Sequence, residues 1–203
     1  MFDATIANIL QSIWPMLVIF LIIISSLRIA YIIKNKVKVV FYREILSLGF
    51  IIYIMCLFHV VTFQDVSWST SNFIPFKEMF RYELFSKMFF KNVIGNMIMF
   101  MPYGFFISYI LKVEKKNLTF WLCLLTSCTI EVIQLLIGRV FDVDDIMLNI
   151  VGGMVGYYIY RLVYIIREKL PRFLKNQIFY NIIVSIITIL ILLYIYKILI
   201  VGV

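Results

Sequence analysis

The sequence predicts an all-α, polytopic membrane bundle of about six transmembrane helices, and three observations carry that expectation. Mean hydropathy is +1.02 over 203 residues. A water-soluble domain cannot hide that much apolar surface, so lipid must be the solvent. Apolar runs recur at about 12–33, 45–62, 93–111, 119–137, 146–166 and 179–201, each near the roughly 20 residues that a helix needs to cross a bilayer. Basic residues gather in alternate loops between those runs, as they do on the cytoplasmic side of multi-pass proteins. The formal net charge of +8 therefore records orientation rather than a nucleic-acid footprint, and no nucleic-acid partner is expected.

The first run has no basic segment ahead of it and no small-residue cleavage site behind it. It reads as a retained span rather than a signal peptide. The loop that follows carries Lys34, Lys36, Lys38 and Arg43. Lys112, Lys115 and Lys116 lie between the third and fourth spans, and Arg167, Lys169, Arg172 and Lys175 between the fifth and sixth. Placing these three loops in the cytoplasm puts both termini and the 138–145 turn outside. Cys56, Cys123 and Cys128 fall inside spans with no paired spacing, the pattern of buried free thiols rather than of a disulfide or zinc framework.

Segment 63–92 joins the second and third spans and is too long for a simple turn. Lys77, Arg81, Lys87 and Lys91 stand there against Asp65, Glu78 and Glu83, so it departs from the charge pattern of an outside loop. Its "NFIPFKEMFRYELF" stretch is rich in aromatics, and Pro75 opposes a continuous helix. Both an interfacial helix and a loop dipping into protein fit the pattern, with the rings anchoring the segment at headgroup depth.

Polar residues form three stripes. Cys123, Ser127, Glu131, Gln134 and Gly138 follow steps of four, four, three and four along the fourth span, which places them on one helix face. Asp145, Asn149, Gly152 and Gly156 do the same on the fifth, and Asn92, Asn96, Met99 and Tyr103 on the third, where Pro102 is expected to bend the helix. Glu131 lies seven residues before Gly138, about 10 Å along a helix axis and so within the outer half of the bilayer. An acid at that depth faces the bundle interior and is a functional candidate by default. Arg139 is its nearest charge partner in sequence, with Asn96, Gln134, Asn149 and His59 as neutral hydrogen-bonding groups. Simpler roles stand beside these. Asp144 or Asp145 caps the fifth helix, Gly152 and Gly156 form a close helix contact, and the amides act as interhelical glue.

The order "IEVIQLLIGRVFDVDDIMLNIVGGMVGYY", preceded by "NFIPF" and "NVIGNMIMFMPYGFF", resembles the motif pattern of the VanZ-like family of bacterial membrane proteins. The resemblance covers about residues 45–166. It implies a core over that range, with 1–44 as a first helix plus basic loop and 167–203 as a basic loop plus an added helix. The family residues it carries over are Asn72, Pro75, Asn96, Pro102, Gly104, Glu131, Gln134, Arg139, Asp142, Asp145, Asn149, Gly152 and Gly156. It also implies a place in a bacterial plasma membrane and a link to teicoplanin-type lipoglycopeptide resistance.

Three mechanisms follow as expectations. In the first, an enzyme acts on a lipid or lipid-linked envelope molecule in the outer leaflet. Glu131 is then general acid or base, Arg139 holds an anionic group, and Asp142 and Asp145 orient Arg139 or, with Glu131, bind a divalent cation. Asn72, Asn96, Gln134, Asn149 and His59 line the substrate side, while Pro75, Pro102, Gly104, Gly152 and Gly156 shape the backbone. In the second, the same pocket binds an envelope lipid or a lipid-tailed antibiotic without chemistry. The third, transport, fits less well, because the polar residues favour one leaflet and no internal repeat is visible. The sequence leaves the oligomeric state open.

Overall fold

A computed structural model describes residues 2–63, 71–77, 79–83 and 85–197. Asp65 and Glu78, counted above in segment 63–92, lie outside the described residues. Among those described, six helices are long and apolar enough to cross a membrane, and there is no strand. They are α1 (Phe2–Asn35), α2 (Phe41–Phe63), α3 (Lys87–Leu111), α4 (Lys116–Leu136), α5 (Val143–Lys169) and α6 (Gln177–Tyr196). Each matches one predicted run. The largest shifts are at helix starts: α1 begins at Phe2 rather than about 12, and α3 begins at Lys87 rather than about 93 and passes through a π-helical stretch, Phe90–Ile94, before Asn96. Hydropathy hides the α3 start because Lys87, Lys91 and Asn92 interrupt the apolar run.

The chain divides into two compact units. One comprises Met1–Val60 and Lys169–Val203. Within it, Arg28 meets Glu44 through two hydrogen bonds, at 2.9 and 2.8 Å. The Asn181 side chain of α6 accepts the backbone N–H of Tyr42 at 3.1 Å, satisfying one of the donors that the start of α2 leaves orphaned. His59 belongs to this unit. The most apolar stretches of α1 and α6 bury no residue inside the protein, as expected of helices whose solvent is lipid.

The second unit, Val61–Glu168, contains α3, α4 and α5. Backbone-to-backbone packing joins α3 to α5. A Cβ added at Gly104 would lie 1.9 Å from the carbonyl oxygen of Gly153, and one at Gly152 would lie 2.1 Å from that of Met97. At Gly156 it would meet the Met101 carbonyl oxygen at 2.1 Å. The Gly152/Gly156 pair is thus an intrachain helix contact, because small residues let two backbones approach where lipid supplies no hydrophobic drive. Tyr103 bonds Thr126 at 2.6 Å, and Ser108 bonds Thr119 at 3.0 Å, tying α3 to α4. Helix α3 continues through Pro102.

Candidate functional site

Four members of the predicted stripe are buried on one face of α4, whereas the fifth, Gly138, is exposed and lies past the helix end. Cys123 and Ser127 are fully enclosed, Glu131 is 2% exposed and Gln134 8%. The helix then stops in a Schellman motif. The N–H of Arg139 bonds the Gln134 carbonyl at 2.8 Å and that of Gly138 bonds Leu135 at 3.1 Å. Gly138 has φ 83°, the left-handed conformation that glycine adopts without a Cβ clash. This stop delivers Arg139 to the mouth of the turn.

Glu131 and Arg139 do not form a direct ion pair; Gln134 stands between them. The hydrogen-bond network assigns the Gln134 amide. Its nitrogen donates to Glu131 Oε1 at 3.0 Å, and its oxygen accepts from Arg139 Nη1 at 3.1 Å. Arg139 Nη1 also donates to the carbonyl of Val61. Arg139 lies past the end of α4, so it is the Schellman turn and not the eight-residue spacing that brings it back onto Gln134. The other Glu131 oxygen, Oε2, accepts the backbone N–H of Asp142 at 2.9 Å. A carboxylate from within α4 therefore holds the start of α5.

The three aspartates of the turn have separate tasks. Asp142, not Asp144 or Asp145, is the cap of α5. Its Oδ1 accepts the N–H of Asp144 at 2.9 Å, the N-cap bond to the second helical residue. The same oxygen accepts from Asn72 Nδ2 at 2.9 Å. The backbones of Asn72 and Asp142 pair as an isolated parallel bridge, with Asn72 N–H on Phe141 (2.8 Å) and Val143 N–H on Asn72 (3.1 Å). Asp145 accepts from Asn96 of α3 at 2.5 Å.

Asp144 is 1% exposed, and its carboxylate accepts the backbone N–H groups of Phe76 and, at 3.0 Å, of Met79. Residues 72–77, 79 and 80 thus belong to a loop docked on protein. Pro75 occupies the second position of a turn closed by Lys77 N–H on Ile74 at 3.4 Å. Phe76, at φ 66°, takes the third position, which a type II turn normally gives to glycine. Such a conformation persists only where surrounding contacts impose it, and Asp144 supplies one. Phe73 stacks on Phe141 at 5.3 Å, while Phe73 and Phe80 remain 66% and 82% exposed.

Replacing Asp144 with Ala leaves the two loop N–H groups without their acceptor, at a cost of about 1–3 kcal/mol each where they are buried. Amide exchange at Phe76 and Met79 should accelerate at least about tenfold in Asp144→Ala, with a lowered melting temperature. Unchanged protection at both amides would exclude this latch.

The site is a buried floor with a partly exposed rim. Glu131, Gln134 and Asn149 are buried, whereas Arg139, Asp142, Asp145 and Asn96 retain some exposure. Glu131 feels the charges of Asp145, Asp142 and Arg139 together. Asn149 bonds Ser127 at 3.0 Å. Among the described residues, no group of three or more His, Cys, Asp or Glu side chains is arranged to hold a metal ion. The Glu131, Asp142 and Asp145 carboxylates instead accept N–H donors of the chain, so these residues do not present a preformed cation cage.

Sequence spacing alone missed Asp144 as a loop latch and Ser127 as the partner of Asn149. For the capping role of Asp142 a signal was present. Asp is among the favoured N-cap residues, and Asp142 stands immediately before the helical run with acids following in the first turn.

A family model described as VanZ/LLP1 matches residues 50–164. No curated protein and no solved structure matches the chain. The matched stretch contains Asn72, Asn96, Glu131, Gln134, Arg139, Asp142, Asp145 and Asn149, the polar groups of the site. Family match and six apolar helices together make the chain a multi-pass membrane protein of the VanZ-like family, VanZ/LLP1, which is associated with teicoplanin resistance.

Proposed function

We propose that this VanZ-like protein acts on a lipid or lipid-linked component of the bacterial cell envelope, in the outer leaflet, at the cluster around Glu131. The observation that carries the proposal is the hydrogen-bonded convergence of Glu131, Gln134, Arg139 and Asp142, with Asp145 tied to Asn96 in the next turn of chain, at the ends of membrane-spanning helices. Ionisable groups at that depth are expensive and mark sites of function. The alternation of basic loops supports a setting for the cluster on the extracytoplasmic side of the plasma membrane, with both termini outside. On this reading Glu131 exchanges a proton with the headgroup as general acid or base, and Asp142 and Arg139 hold its surroundings in register. Lowered susceptibility to a lipoglycopeptide then follows from a changed envelope lipid.

A second reading, binding without chemistry, is favoured by one specific contact pattern. Both Glu131 oxygens already accept hydrogen bonds from the chain, one from Asp142 N–H and one from Gln134. The cluster would then grip an envelope lipid or a lipid-tailed antibiotic, with the exposed Phe73 and Phe80 beside its acyl part.

Lipid mass spectrometry of cells with and without the protein, paired with teicoplanin susceptibility, tests the two. A changed lipid species that tracks protection supports action on an envelope lipid. An unchanged lipidome with retained protection overturns it in favour of binding.

A further inference from the structure

Beneath the charged layer of the site lies a second polar layer. Asn149 is four residues past Asp145 on α5, and Ser127 is four before Glu131 on α4. Each therefore sits one helical turn, about 5.4 Å, further into the membrane. The two meet through Asn149 Nδ2 and Ser127 Oγ at 3.0 Å. Asn149 is 4% exposed, and its Oδ1, on the opposite edge of the carboxamide, has no hydrogen-bond partner. A buried carbonyl of this kind normally finds a donor. Immediately below, the helices close. A Cβ at Gly153 would lie 2.3 Å from Cys123 Sγ, and Cys123 is fully buried. Asn149 Oδ1 is therefore a buried, unpaired acceptor just above this close packing.

Three carboxyl groups, Glu131, Asp142 and Asp145, stand in the layer above it against one guanidinium, Arg139. Arg139 turns Nη1 onto the Val61 carbonyl and the Gln134 oxygen. What the unpaired Asn149 carbonyl offers an incoming group is an acceptor, so the complementary group carries N–H donors, and an ammonium is the donor-bearing group that neighbouring carboxyls also favour. We infer that the ligand places a protonated primary amine between Asp145 and Asn149 Oδ1, and that the substrate class is an aminated lipid headgroup. This rests on the envelope-lipid reading above and deepens it. A primary ammonium has three donors to distribute, whereas a quaternary ammonium of equal charge has none.

The full-length protein, purified and stripped of lipid, is offered phosphatidylethanolamine, phosphatidylcholine or phosphatidylglycerol at equal mole fraction, and retained lipid is read by native mass spectrometry. The expected result is phosphatidylethanolamine retained over phosphatidylcholine by about tenfold, the scale of one charge-assisted hydrogen bond. In Asn149→Leu the ratio should fall to within about twofold, while Asn149→Asp, which keeps an acceptor at that place, preserves it. Circular dichroism checks the fold of each variant. If Asn149→Leu does not fold, the wild-type ratio and Asn149→Asp decide the matter.

Equal retention of the ethanolamine and choline lipids overturns the amine while leaving a lipid-headgroup site, and points to a buried water on Asn149. Preference for phosphatidylglycerol over both overturns it in favour of a hydroxyl donor. Undiminished discrimination in Asn149→Leu removes Asn149 from the contact. Retention of no lipid at all overturns this proposal and the envelope-lipid reading together.

Discussion

Glu131→Gln is expected to lower conversion of the envelope lipid by about 10²–10⁴-fold, the range that a positioned acid or base contributes, while the protein stays folded and keeps its lipid. The substitution is nearly isosteric. A Gln carbonyl can still accept the Asp142 N–H that Glu131 Oε2 now accepts at 2.9 Å. What it loses is the exchangeable proton and the second acceptor. Gln134, whose nitrogen donates to Glu131 Oε1 at 3.0 Å, must then turn its oxygen toward the new amide and away from Arg139. That rearrangement costs about 1–3 kcal/mol, a lowered melting temperature rather than a lost fold. Turnover is followed by mass spectrometry of a lipid extract incubated with purified protein, and stability by thermal unfolding in detergent. A variant with full turnover excludes proton transfer by this carboxylate and leaves binding as the function of the cluster.

Gly104→Ala should destabilise the protein by about 3 kcal/mol, at the upper end of the overpacking range. The added Cβ would meet the Gly153 carbonyl oxygen at 1.9 Å, its carbon at 2.5 Å and its Cα at 2.7 Å. All three are backbone atoms, so no side-chain rotation relieves the clash and α3 must move off α5. Gly49→Ala is the matched control, since nothing lies within 4 Å of a Cβ built there. In a helix interior that exchange should stabilise by about 0.5–1 kcal/mol. Detergent-solubilised unfolding of both variants gives the comparison, and equal stability would exclude the close backbone approach.

What could be read in advance follows from the range of each interaction. Helices α1 to α6 were legible because a membrane demands long apolar runs, and their faces because one turn is a fixed number of residues. The burial of Cys123, Ser127, Glu131 and Gln134 was thus visible in their spacing. Contacts closed by tertiary folding were not. Asn72 pairs with Asp142 across 70 residues, and Asp144 reaches Phe76 across 68, and no local period encodes either. The tie between Glu131 and Arg139 was harder to read, because Gly138 turns the chain left-handed after α4 and ends the helical phase before Arg139. The folded turn alone makes Gln134 the link between them.

The backbone contacts between α3 and α5 have a mechanical consequence. Gly104 on Gly153, Gly152 on Met97 and Gly156 on Met101 interlock the helices at successive levels, so neither can slide without a carbonyl riding over a Cα. Asn96 stands on one of these helices and Asp145 on the other, 2.5 Å apart at their polar tips. They behave as calliper jaws locked at one opening. Any adjustment to a guest must come from α4 or from the loop held by Asp144. On the envelope-lipid proposal, a headgroup is then sorted by its dimensions as well as by its hydrogen-bonding groups.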